Sequence, residues 1–165
     1  MIRYRRVLCE NLPSQGWTEL NEEESHHVGK VLRLADGEEL EVLDGNGRSV
    51  FAKVKRRGKA FGVEDPRPGR SEGPLSRQVT AEVAVLKADA FEWLIEKFTE
   101  IGVHRVVPLW TDYGVIKAKS KPEEVFRSRW QTIADQALKQ CGRLHRRWIE
   151  PPKPLLALSP ERERW

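Results

Sequence analysis

The stretch "SHHVGKVLR", residues 25–33, sets two adjacent histidines ahead of Lys30 and Arg33. On a helix His26 and His27 point about 100° apart, so they cannot grip one metal as an i, i+4 pair would. His27 shares a face with Lys30 and lies near Arg33, a polar and cationic surface suited to an anion. A helix-start histidine beside a solvated neighbour fits the same residues. A second cationic set follows: between Arg48 and Lys59 there are six basic residues, Lys53 and Lys55 among them, and no acid. Such cations can face a phosphate backbone, or merely keep a sheet edge from pairing with other chains. The third set lies in "DQALKQCGRLHRRW", residues 135–148. There Gln140 and Arg143 flank a glycine turn, where an amide and a guanidinium could hold a base edge or a phosphate. Positive side chains at a helix exit also complement the helix dipole without any ligand. Glu100, an acid in the last turn of a helix, calls for a partner such as Arg105 or a backbone amide.

Other chemistries find no support. Cys9 and Cys141 are the only cysteines and lie far apart, so no zinc spacing can be assembled and no metal is expected. There is no GxGxxG, P-loop, GxSxG or paired-carboxylate motif. The N-terminal residues lack an apolar leader core and no run approaches ~18 apolar residues, so no membrane association is expected and the chain reads as a soluble protein of a reducing cytoplasm. Its 165 residues, 39% of them hydrophobic, suffice for one ordinary domain or two small ones. Lys plus Arg exceed Asp plus Glu by 29 to 25, a balance compatible with nucleic acid but not requiring it.

The elements that must position these groups follow from periodicity. "IRYRRVL" suits a short strand. "NEEESHHVGKVLRLADG" carries a helix signature, with Asn21 as N-cap, Glu24 at N3, and Val28, Val31 and Leu32 as the buried stripe. Gly29 inside it implies a close backbone approach or a short helix. "EELEVLDGNGRSVFAKVKRR" predicts a β-hairpin: Leu40 and Val42 alternate with acids, "DGNG" tolerates positive φ, and Val50, Ala52 and Val54 resume the alternation. Residues 63–77, with three prolines and two glycines, break the periodicity and predict a domain boundary. Beyond it, "VTAEVAVLKA" predicts a strand covered on both faces. "AFEWLIEKFTEIG" predicts a helix with Phe91, Leu94, Ile95, Phe98 and Ile101 on one stripe, and "VHRVVPLW" a buried strand, together a βαβ unit. A long helix from about Pro122 presents Trp130, Ile133, Ala134, Ala137, Leu138 and Cys141 inward. Only two strands and two helices are evident in this second part, too few for a free-standing parallel sheet.

In order and spacing, "SHHVGKVLRLADGEELEVLDGNG", "VLKADAFEWLIEKFTEIGVHRVVPLWTDYGV" and "RWQTIADQALKQCGR" resemble the bacterial 16S ribosomal RNA uridine-N3 methyltransferases of the SPOUT class. The resemblance implies an α+β chain: an N-terminal PUA-like β-barrel for RNA over residues 1–77, then the first part of a SPOUT-type α/β trefoil-knot domain over residues 78–165. It implies S-adenosylmethionine as cofactor, 16S ribosomal RNA or the small ribosomal subunit as partner, and a cytoplasmic homodimer. The family's "HhvxRVLR" element falls on His27, Lys30 and Arg33, its early arginine on Arg5, and its "DGxG" turn on Asp44 to Gly47. "KatELG" falls on Lys97, Thr99, Glu100 and Gly102, with Phe98 and Ile101 as apolar replacements. "eQSGR" falls on Gln140, Cys141, Gly142 and Arg143, where Cys for Ser weakens a hydrogen bond; "TDYGV", residues 111–115, departs from "SeRs" and loses an arginine. Arg5, His27, Lys30, Arg33, Lys53, Lys55, Gln140 and Arg143 are then the candidate RNA-binding residues, while catalytic and cofactor-binding residues stay unassigned. The family's "GPEGG" and "LGxxILRxETA" segments lie beyond residue 165, so a fragment is expected, inactive alone and weak for the donor. A non-catalytic PUA-like RNA-binding protein is the alternative.

Overall fold

The computed structural model describes residues 5–112, 114 and 122–157. Tyr113 and Val115 of the "TDYGV" stretch lie outside them. Two compact units are present: Met1–Leu75 together with Lys139–Arg146, and Ser76–Leu138 together with Arg147–Trp165.

The first unit is a five-stranded sheet, β1 (Arg6–Leu8), β2 (Thr18–Glu19), β3 (Glu39–Leu43), β4 (Arg48–Arg57) and β5 (Ala60–Ser71), in the order β1-β3-β4-β5-β2. β1 runs parallel to β3 and the other pairs are antiparallel. Among the described residues no pairing joins the edge strands β1 and β2, so the PUA-like barrel expected is present as a half-barrel sheet. The predicted hairpin is β3–β4: Leu40, Val42, Ala52 and Val54 are buried with Val7, Val28 and Val63 in one core. Residues 63–71, expected to be a break, are the second half of β5. They tolerate Pro66 and Pro68 because among the described residues this strand pairs beyond Val63 with β4 alone, and proline can leave its missing donor on a free edge. A register shift there leaves Asp65 at φ 52°.

Asn21 caps helix α1 (Glu22–His26), its side chain accepting the Glu24 N–H at 2.8 Å. From His27 to Leu32 the helix widens into a π-turn. The extra residue per turn rotates Val31 outward, to 61% exposure, and the stripe becomes Val28 and Leu34 with Leu32 half-buried. Gly29 is the close approach: a Cβ there would lie 2.6 Å from the Phe61 ring.

The second unit holds the predicted βαβ unit, β6 (Thr80–Ala84), α2 (Ala88–Ile101) and β7 (Arg105–Trp110), then α3 (Glu123–Cys141). Two short strands that sequence patterning missed, β8 (Trp148–Ile149) and β9 (Lys153–Pro154), both pair parallel to β7. β6 is an edge strand, so it is half-buried where coverage on both faces was expected. Ile101 is 69% exposed because it lies about 100° from the centre of the stripe made by Phe91, Ile95 and Phe98. Phe91 packs on Trp130 at 4.6 Å between ring centroids, and Phe126 bridges Trp130 and Trp110 at 5.4 Å each. Of the inner face expected for α3, Trp130, Ala134, Ala137 and Leu138 are buried, Ile133 is half-buried, and Cys141 is exposed, since the chain has by then turned into the first unit's contacts. Glu100 is held by Lys97, one turn earlier, at 2.8 Å; Arg105 instead faces Glu150 at 3.7 Å. No helix among the described residues is long and apolar enough to cross a membrane.

Candidate functional site

Two motifs separated by about a hundred residues in sequence meet within the first unit. In the "DGNG" turn, Asp44 accepts the backbone N–H groups of Asn46 and Arg48 at 2.7 and 2.9 Å, while Gly45 and Gly47 take φ of 73° and 98°. The segment leaving α3 then lies along this turn. Gly47 donates to the Leu144 carbonyl at 3.2 Å, Arg146 donates to Gly45 at 2.8 Å, and Asn46 bridges His145. The glycine-rich turn therefore acts as a docking strip for residues 144–146, and it fixes where "QCGR" must sit.

A buried carboxylate holds the other side of that segment. Glu41 is fully buried on β3, and its oxygens accept Arg6 Nε at 2.8 Å, Arg70 Nε at 2.7 Å and Ser49 Oγ at 2.8 Å. Burial works to raise its carboxyl, but the hydrogen bonds from Arg70, Arg6 and Ser49 outweigh it and hold the group below the usual carboxylate range. The two arginines reach on to the end of α3. Arg6 Nη1 donates to the carbonyls of Lys139 at 3.1 Å and Gln140 at 3.4 Å, and Arg70 Nη2 donates to Gly142 at 2.8 Å. These are carbonyls that a helix end leaves unpaired, at its negative pole. Gly142, at φ 76°, lies flat against a guanidinium: a Cβ there would sit 2.7 Å from Arg6 Cζ. The alternation of β3 suggested that Glu41 faces solvent. Nothing in that pattern reveals that three donors from β1, β4 and β5 converge on it.

Next to this cluster, Lys139 Nζ donates to Glu24 Oε1 at 2.7 Å, with both side chains buried. Burial pushes the Glu24 carboxyl up, and the Lys139 charge and hydrogen bond only partly offset it. His27 is half-buried; desolvation, then the Lys139 charge, then His26 push its imidazole below its ordinary value, which favours the neutral ring. His27 thus lies in the field of the residue preceding Gln140, and the first and third sequence sets share one neighbourhood. Gln140 is exposed and Arg143 half-buried.

The remaining candidates are dispersed over the surface of the unit. Arg5 bonds Glu38 at 2.6 Å, Lys53 bonds Asp65 at 3.2 Å and Lys55 bonds Asp36 at 3.3 Å. Arg56 and Arg57 stack on Phe61 and Trp17, at 5.6 and 4.7 Å from the ring centroids. The cationic run of β4 is therefore largely matched by acids and rings supplied from other segments. Lys30 and Arg33 are exposed, with no ion pair among the described residues, and Arg33 closes the π-turn at φ 53°. No cluster of His, Cys, Asp or Glu able to hold a metal occurs among the described residues.

Residues 72–163 match the model of the RNA methyltransferase domain. The chain belongs to the RNA methyltransferase family. Residues 20–61 match the RNA methyltransferase PUA domain, which covers α1, the π-turn and the hairpin. Among curated proteins of this family, the ribosomal RNA small subunit methyltransferase E of Synechocystis is 30% identical over 92% of this chain and 47% of its own length. That of Bacillus subtilis is 28% identical over 73% of this chain and 48% of its own. The chain thus spans about half the length of these relatives. A putative methyltransferase of Legionella pneumophila, solved with bound S-adenosylmethionine, has a TM-score of 0.78 at 28% identity, covering 93% of this chain and 64% of that one. The fold is also that of ribosomal RNA small subunit methyltransferase E from Neisseria gonorrhoeae, solved with S-adenosylmethionine, with a TM-score of 0.80 at 21% identity over 96% of this chain and 67% of that one.

Proposed function

We propose that this chain serves methylation of N3 of a uridine in 16S ribosomal RNA, within a cytoplasmic enzyme that pairs as a homodimer and whose α/β domain is trefoil-knotted. The observation that carries the reading is the junction in the first unit, where the "DGNG" turn, the Glu41 cluster and His27 surround the "QCGR" exit of α3. It gathers motifs of both family domains around exposed Gln140 and half-buried Arg143. In this reading Lys30 and Arg33 contact RNA phosphates, with Arg5, Lys53 and Lys55 exchanging exposed carboxylates for phosphate as the RNA arrives. Gln140 and neutral His27 offer hydrogen bonds to base edges. Arg143 would stabilise the negative charge that develops on the uridine ring as N3 loses its proton.

The fold family uses S-adenosylmethionine, and a feature of the second unit fits a polar ligand of that kind. Trp110 ends the central strand β7, at the carboxyl edge where open α/β sheets bind ligands. It is buried, and its Nε1 has no hydrogen-bond partner among the described residues. Trp110 is therefore the residue of this chain proposed to donate to the cofactor. When bound, S-adenosylmethionine supplies an electrophilic methyl carbon.

Two measurements test the reading. Deleting the gene and digesting 16S ribosomal RNA for mass spectrometry should show the loss of N3-methyluridine; an unchanged content refutes the substrate. The purified chain should bind 16S RNA with an affinity that falls steeply with salt, and Lys30→Ala with Arg33→Ala should flatten that dependence. A flat salt response in the unaltered chain refutes the phosphate contacts.

A further inference from the structure

A buried carboxylate that grips two arginines, each of which grips the same short piece of backbone, does more than stabilise a sheet. We propose that Glu41 is a positioning residue for RNA recognition: through Arg6 and Arg70 it sets the backbone of residues 139–142, and so the places from which Gln140 and Arg143 meet the RNA. The inference rests on the function proposed above and adds a residue that makes no contact with RNA.

The geometry is a two-step relay. Glu41 Oε2 takes Arg6 Nε and Oε1 takes Arg70 Nε, which leaves the outer nitrogens of both guanidiniums aimed at carbonyls. Arg6 spans Lys139 and Gln140, and Arg70 holds Gly142, so the carbonyls on both sides of Cys141 are tied to one carboxylate. Ser49 secures the relay from below. Its hydroxyl donates to Glu41 and accepts the backbone N–H of Arg70, which locks the strand that carries one arginine to the carboxylate that orients it. A planar guanidinium bound along one edge has its other edge fixed in direction, a constraint that lysine cannot reproduce. The Arg6 guanidinium also occupies the space that a Cβ at residue 142 would need, so the turn accepts only glycine there. A cap needed only for helix stability would require one cation near the last carbonyls. Two arginines on a single buried acid define the direction of the loop as well.

The test is a double-mutant cycle on 16S RNA affinity, with circular dichroism to check that each variant is folded. Glu41→Gln keeps the size and one acceptor but loses the charge that orders both guanidiniums; it should weaken binding about tenfold, the scale of one charge-assisted hydrogen bond. Combined with Gln140→Ala and Arg143→Ala together it should bind no more weakly than that pair alone, because both groups it positions are already gone. Combined with Arg33→Ala the two losses should multiply. Arg70→Lys is the second variant should Glu41→Gln not fold, and it should show the same pattern with a smaller loss. Losses that multiply with the Gln140→Ala and Arg143→Ala pair, or a folded Glu41→Gln variant that binds like the unaltered chain, overturn the positioning role. If Arg143→Ala and Gln140→Ala both bind like the unaltered chain, the RNA reading of this loop fails and takes the inference with it.

Discussion

Lys139→Met leaves a carboxylate stranded. In the native pair Glu24 and Lys139 are 2.7 Å apart, with side chains only 6% and 7% exposed. Removing one member of such a pair typically destabilises by about 3 kcal/mol, because the remaining charge is neither solvated nor matched. That penalty can be escaped in one way, by protonation of Glu24. Its carboxyl is already raised by burial, and both influences of Lys139 act to lower it, so the substitution raises it further. Since the folded state then holds a proton that the unfolded state, near 4.5, has released, stability must fall as pH rises through that window. A penalty of about 3 kcal/mol at pH 7 should therefore shrink steadily as the pH falls toward 4.5 and Glu24 takes up a proton. By pH 5 most of it should be gone. Urea-dependent hydrogen exchange on peptides from β3 and β4 reports the first unit alone and measures both values. Adding Glu24→Leu should recover most of the loss at pH 7, as an apolar pair replaces the ionic one. A loss independent of pH, or a double variant no better than the single one, refutes the reasoning.

Other substitutions probe the neighbouring groups. Gly142→Ala forces a side chain into positive φ, at about 1 kcal/mol, and displaces the Arg6 guanidinium, so thermal melting should show a larger loss than that strain alone. His27 has its imidazole below the ordinary 6.5, so the unfolded state takes up a proton first as pH falls; stability should decline below about pH 6.5, and His27→Gln should flatten that decline in a pH series of urea melts. Phe91→Ala removes the ring between α2 and Trp130 and should cost the second unit about 3 to 5 kcal/mol, read by exchange of β7 amides.

Periodicity made the elements legible wherever one local rule decided the outcome. The β3–β4 hairpin follows from alternation and a glycine turn, the cap at Asn21 from one side chain and one amide, and the βαβ unit from strand and helix periods. Where two rules competed, the pattern misled. Val31 obeys a helical period of 3.6 only if the helix stays α, and the π-turn that ends in left-handed Arg33 displaces it. Pro66 and Pro68 break a strand in general but not one whose other edge is free. The strands β8 and β9 contribute two residues each and owe their existence to β7, so no local signal carries them. At the candidate site, residue types pointed to Gln140 and Arg143, whereas Glu41 was hidden because its partners Arg6 and Arg70 come from strands 35 and 29 residues away.

On the RNA-binding reading proposed above, the charges of the first unit divide by what a phosphate must displace to reach them. Arg5, Lys53 and Lys55 each face an exposed carboxylate, and exposed pairs of this kind contribute about 0 to 1 kcal/mol. A phosphate can replace the carboxylate, but it gains only the difference between two similar partners and leaves the acid nearby to repel it. On that reading Lys30 and Arg33 lose no ion pair seen among the described residues, so each would release its full counterion contribution. Counting basic residues along β4 therefore overstates that strand's share of the affinity. Lys30 and Arg33 of the π-turn, with no ion pair among the described residues, are on that reading expected to contribute more per residue than Lys53 and Lys55.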